Sequence, residues 1–179
     1  FQKANSQYAL LTAGIEIASK KANYEVSPEP IHKGDVADYF ISKCESLLKV
    51  SRRESTNLML EKEARTCMAI RDDCHKKVRP YIPEVLDQFV IRQPSYPKRQ
   101  CVVFEYNPDL VSLSNVGEKY PNGVGARHVA WIFNRLLTAM AITHDAGFVH
   151  GAILPHSVLI LPKNHGAILI EWVHSVRIG

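Results

Sequence analysis

A lysine set in an apolar run, Ser46-Leu47-Leu48-Lys49-Val50, is followed fourteen residues later by Glu63 in the stretch Leu60-Glu61-Lys62-Glu63-Ala64. An ammonium group steadied by a carboxylate can receive the negative charge of a phosphate, whereas a lysine left alone among apolar neighbours carries a heavy desolvation cost. Farther along, His150-Gly151-Ala152 leads to Ser157, and Glu171 stands in Leu169-Ile170-Glu171-Trp172-Val173. A histidine, a hydroxyl and a carboxylate thus fall close together in sequence. Each also has an ordinary reading: a surface lysine, a solvated helical glutamate, a histidine that braces a loop through internal hydrogen bonds. Two other chemistries weigh less. His144, His150, His156, His165 and His174 contain no H-x-x-x-H pair and have no cysteine nearby, so they lack a zinc signature. A Ser157–His150 nucleophile lacks the G-x-S-x-G elbow.

The elements that would position these residues can be read from apolar periodicity. Residues 1–21 carry Tyr8, Leu10, Leu11, Ile15 and Ile17 at a loose helical spacing, closed off by Pro28 and Pro30. Short apolar and β-branched runs between Tyr24 and Val50, broken by Gly34 and Asp35, predict two or three strands. Residues 55–71 predict a helix with Leu58, Met59, Ala64, Cys67, Met68 and Ile70 on one side. Strands are expected at Leu86–Ile91 and Cys101–Tyr106, joined by an exposed turn over Arg92–Gln100. Residues 126–146 give the longest helix, with Val129, Ile132, Phe133, Leu136, Leu137, Met140 and Ile142 apolar, and Gly147 stops it. Val158–Leu161 and Ala167–Trp172 flank Pro162-Lys163-Asn164-His165-Gly166, a hairpin signature.

The composition suits an ordinary globular chain: 179 residues, 46% apolar, 22% charged, with a formal charge of +4. Basic residues are most frequent between Lys43 and Arg99, a solvated face rather than a nucleic-acid surface. No run approaches the roughly 18 apolar residues of a membrane span. Cys44, Cys67, Cys74 and Cys101 form no C-x-x-C pair and no signal segment opens the sequence, which points to a reducing cytoplasm.

The order of these parts resembles a protein kinase. Ser46–Val50 is similar to the V-A-I-K strand, Glu63 to its helical partner, and Val102-Val103-Phe104-Glu105-Tyr106 to the strand and hinge on which adenine rests. The run from His144 to Ile160 resembles H-x-x-G-x-x-H-R-D-L-K-P-x-N-x-L-I, and Glu171-Trp172 takes the D-F-G position. Ile31–Tyr39 is similar to the glycine loop with only its middle glycine, Gly34, kept. The likeness covers about residues 24–179 and is nearest to divergent bacterial and phage kinase-like domains that read H-G-A for H-R-D, some of which follow a J-domain-like helical segment.

That resemblance implies an α+β fold in three parts: a helical appendage (1–23), an N-lobe of antiparallel sheet plus one helix (24–106), and a partial C-lobe of long helix and hairpin (107–179). It implies ATP or another nucleotide with Mg²⁺, bound weakly or not at all, at Gly34, Lys49, Glu63, Phe104, Glu105, Tyr106 and Ser157, with Glu171 as the metal residue. The catalytic-base position holds Ala152, whose methyl group accepts no proton, so the chemistry implied is that of a pseudokinase working with a protein partner, away from membranes and nucleic acid. The alternatives are an active phosphotransferase in a longer intact form, and a binding protein that uses no nucleotide.

Overall fold

The computed structural model describes residues 16–26, 29–92 and 97–179. The fold is mixed α and β with antiparallel sheets, and it divides into two compact units. Of the described residues, those up to Ala64 together with Val85–Tyr106 form the first, and Arg65–Glu84 with Asn107–Gly179 the second.

In the first unit, β1 (Glu16–Ala18) and β2 (Asn23–Glu25) make a small hairpin. The helix expected over residues 1–21 lies mostly outside the described residues, and its last described part is strand instead. The ladder from Ile17 to Tyr24 buries both side chains in the sheet core, and this tertiary burial overrides the local spacing. Next come β3 (His32–Lys33), β4 (Ala37–Ile41), β5 (Ser46–Ser51) and the helix α1 (Asn57–Asp73), then β6 (Val85–Ile91) and β7 (Arg99–Glu105). The five strands form one antiparallel sheet in the order β3-β4-β5-β7-β6. Arg99 and Gln100, expected in a turn, are the first residues of β7.

Alternation along β5 decides what each face of this sheet does. Leu48 and Val50 point to one side, where Phe40, Cys101, Val103, Ile17, Tyr24 and Val26 complete a core cluster. The ring of Tyr24 stacks on Phe89 at 6.0 Å. The opposite face carries the row Tyr39, Lys49, Val102, set by cross-strand register. Helix α1 is made of strong helix formers such as Leu, Met, Glu, Ala and Arg. Its start is fastened by Asn57, whose Oδ1 accepts from Gln100 N at 2.8 Å and from the Ser51 hydroxyl. The buried side is Leu60, Glu63, Ala64, Thr66, Cys67 and Ile70, a stripe at i, i+3, i+4 spacing. Of the apolar side expected from sequence, Ala64, Cys67 and Ile70 are buried, whereas Leu58 is 74% exposed and Met68 also faces solvent.

The second unit takes the later turns of α1 and then β8 (Val111–Ser112), α2 (Leu113–Lys119), α3 (Ala126–Asp145), β9 (Phe148–Val149), β10 (Val158–Leu161), β11 (Gly166–Leu169) and β12 (Val176–Arg177). Strands β11, β10 and β8 form a three-stranded sheet, and β9 pairs with β12. Helix α3 ends where Gly147, at φ +77°, turns the chain into the left-handed region. Only Ala139, Ile142 and Thr143 of α3 are buried, while Val129, Phe133 and Leu137 remain exposed. The hairpin strand expected to reach Trp172 ends at Leu169, and Trp172 opens a 3-10 turn in which its indole N–H donates to Leu169 O at 2.7 Å.

Candidate functional site

On the helix-facing side of the five-stranded sheet, Lys49 and Glu63 form a buried ion pair. Lys49 Nζ lies 3.0 Å from Glu63 Oε1 and 2.8 Å from Oε2, and each side chain is 2% exposed. The register of β4 against β5 places the Tyr39 ring beside it, 5.2 Å from the ammonium. Two charges withdrawn from water in this way offset each other only when geometry is good, and removing either leaves a costly orphan.

Gly34 opens the turn between β3 and β4. Its N–H donates to Ala37 O at 2.9 Å, and a β-carbon at Gly34 would meet that same oxygen at 3.0 Å. Arg52 Nη1 donates to Gly34 O at 2.8 Å, and Thr56 Oγ1 donates to Val36 O at 3.1 Å. The turn is therefore pinned closed with its glycine N–H used internally, which differs from a loop that points amides at a phosphate. Asp38, buried beside Arg52, has its carboxyl raised above the ordinary value by burial, against the opposing pull of Arg52. Phe104 is buried and pairs with Leu47. Glu105, the last residue of β7, pairs with Ser46, and half-buried Tyr106 follows it.

In the second unit, His150 ties two loops together. Ala152 N–H donates to its Nδ1 at 3.3 Å, so the other nitrogen carries the proton and Nε2–H donates to Ile170 O at 2.8 Å. The ring stands edge-on to Trp172 at 4.5 Å. Gly151 has φ +83°, and a β-carbon there would lie 2.5 Å from His174 O. Glycine is thus the residue type the backbone admits at this position. The spacing of the histidine and glycine was visible in sequence. The contact with His174 was not, because it depends on the fold of the 3-10 turn.

Ser157 is fully buried, and its hydroxyl works within its own loop. It accepts from Leu154 N at 2.9 Å and has Leu154 O at 2.9 Å and Ala152 O at 3.2 Å as acceptors. Glu171 is half-buried and left-handed, at φ 68° and ψ 55°. Such a conformation is uncommon for a side chain of this size and marks a constrained position. No group of three His, Cys, Asp or Glu residues suited to a metal ion occurs among the described residues. With Ser157 engaged by its own loop, the donor set expected for magnesium is reduced to Glu171, and the residues present do not fit a metal centre. No helix among the described residues is long and apolar enough to cross a membrane.

No protein-family model matches the chain, and no curated protein matches it.

Proposed function

We propose that this chain is a protein-kinase-like module of the pseudokinase kind, which uses a nucleotide or a protein partner as a regulatory ligand and transfers no phosphoryl group. The observation that carries the reading is the pair Lys49–Glu63, a strand lysine steadied by a helix glutamate fourteen residues on. A cation held dehydrated in an apolar sheet is costly, and such residues cluster where their charge has a use. In this reading the ammonium faces phosphate oxygens, and the backbone of Glu105 and Tyr106, just past the ladder with Ser46, presents N–H and C=O to a purine.

Ala152 stands where a general base would accept the substrate proton. Losing a positioned base costs on the order of 10² to 10⁴ in rate. The pinned Gly34 turn and the engaged Ser157 both remove groups that would otherwise bind phosphate or metal. Nucleotide binding in this reading rests on Lys49 and the hinge backbone and needs no magnesium.

The depth of the ion pair favours a second reading. At 2% exposure each, Lys49 and Glu63 also suit a purely internal strut in a binding protein that uses no nucleotide. Radiolabelled ATP separates the readings when given to the unmodified chain and to Lys49→Ala at matched folding. The pseudokinase reading expects binding without transfer, weakened in the variant. Robust transfer that disappears in the variant would establish an active enzyme, and no binding by either form would leave the internal strut.

A further inference from the structure

Three separate elements of the second unit meet around Arg135. Helix α3 supplies His128, Trp131 and Arg135, the 3-10 helix Lys76–Tyr81 supplies Tyr81, and the β10–β11 turn supplies His165. Arg135 Nε donates to His165 O at 2.9 Å and Nη1 donates to the Tyr81 hydroxyl at 3.1 Å. Trp131 lies edge-on to His165 at 4.9 Å, and its indole N–H donates to His128 Nδ1 at 3.4 Å. His165 is held at φ 50°, a left-handed conformation uncommon for a residue with a side chain.

Both acceptors that fix the guanidinium are neutral. Arg135 forms no ion pair with any carboxylate among the described residues, although it is exposed. The nearby turn lysine, Lys163, is instead matched to Asp109 at 3.2 Å. An arginine with two of its five N–H groups anchored has already lost the side-chain freedom that anion binding would otherwise take away, and its remaining donors match an oxyanion in a planar fork. An arginine framed by Trp and Tyr is also the composition of an interaction hot spot.

We infer that Arg135, framed by Tyr81, Trp131 and His165, is a surface receptor for an oxyanion, the phosphate or carboxylate group of a ligand. This site is independent of the nucleotide reading, since none of its residues belongs to the sheet that holds Lys49.

The test is a titration of the ¹⁵N-labelled chain with inorganic phosphate and, at matched ionic strength, with acetate, following the indole N–H of Trp131 and the Nε–H of Arg135. Both signals should shift saturably with a Kd on the order of millimolar, weakening as salt is added. The indole of Trp172, buried and bonded to Leu169 O, should stay in place. Tighter binding of phosphate assigns the site to phosphate groups, and equal or tighter binding of acetate assigns it to carboxylates. Arg135→Gln should abolish the response with the Trp172 signal unchanged, and Arg135→Lys should weaken it by about tenfold through loss of the fork. If Arg135→Gln disturbs Trp172, Tyr81→Phe takes its place, removing one anchor of the guanidinium, and should weaken phosphate several-fold. Non-saturating shifts in the unmodified chain, a response that survives Arg135→Gln, or unchanged affinity in Tyr81→Phe would overturn the inference.

Discussion

The α-carbon of Gly151 faces the carbonyl oxygen of His174 so closely that a β-carbon would sit 2.5 Å from it. Gly147 offers a natural control, because it shares the left-handed conformation, at φ +77°, and has no atom within 4 Å of its would-be β-carbon. Gly147→Ala should cost only the conformational term, about 1–2 kcal/mol. Gly151→Ala should cost distinctly more, since backbone must also move. Denaturant midpoints of the two variants check this, and equal costs would show that the His174 contact is not tight.

The buried ion pair predicts strong coupling. Replacing either Lys49 by Met or Glu63 by Leu should destabilise the fold by about 3–5 kcal/mol, because the surviving charge is left dehydrated. The double variant should recover most of that loss, since two apolar residues of similar size can take the place of a buried pair. A double-mutant cycle by chemical unfolding measures the coupling, and additive losses would contradict the pairing.

Tyr24 carries a pH prediction. Its hydroxyl is pushed up to about 12 by burial first, then by the charge of Asp87 and the hydrogen bond at 3.2 Å. The unfolded chain releases this proton near pH 10 and the folded chain near 12, so the folded state binds more protons between them. Stability contributed by Tyr24 is therefore full below pH 10 and falls as pH rises toward 12. Asp87→Asn should bring the phenol down toward its ordinary value. Ultraviolet titration of the folded chain, in which Tyr24 should ionise after the exposed tyrosines, reads both.

How much of this was legible in the sequence depends on the kind of contact. The apolar runs at Ser46–Val50 and Cys101–Phe104 are strands, because a buried central strand leaves little room for polar residues. The stop at Gly147 could be read from composition alone, since a glycine after a long apolar helix supplies the left-handed cap. The strand Glu16–Ala18 could not, since it exists through pairing with Asn23–Glu25 and burial of Ile17 on a sheet built from later residues. On α1, Ala64, Cys67 and Ile70 are buried as their spacing predicts, whereas Leu58 and Met68, equally apolar in sequence, face solvent and Glu63 takes a core position opposite Lys49. The Lys49–Glu63 pairing and the bracing of a loop by His150 were legible from residue types and spacing. The pinning of the Gly34 turn by Arg52 and the anchoring of Arg135 on Tyr81 depend on partners 18 and 54 residues away in sequence, which no local pattern encodes. The engagement of Ser157 is local, with Leu154 and Ala152, but rests on loop geometry that residue types alone do not specify.

The proposed pseudokinase reading also predicts that an aspartate placed at Ala152, its base position, confers no activity. Ala152→Asp restores a carboxylate at the base position but leaves the Ser157 hydroxyl within its loop and the Gly34 N–H on Ala37. Phosphoryl transfer by this variant should stay at the background of the unmodified chain. Release of labelled phosphate or labelling of a generic substrate checks this, and a gain of 10² or more, the low end of a general-base contribution, would mean that the base was the sole deficiency.

The most direct measurement of the central claim is the thermal transition of the chain as ATP is raised, with and without magnesium. A ligand that binds only the folded state stabilises it by RT ln(1 + [L]/Kd), about 2.7 kcal/mol at a hundredfold excess over Kd. The account predicts a saturable upward shift that is equal in both conditions, because Lys49 and the hinge backbone carry the binding and Ser157 offers no metal ligand. The shift should be absent in a folded Lys49→Met, Glu63→Leu double variant. No shift at any ATP concentration, or an undiminished shift in the double variant, would contradict the account.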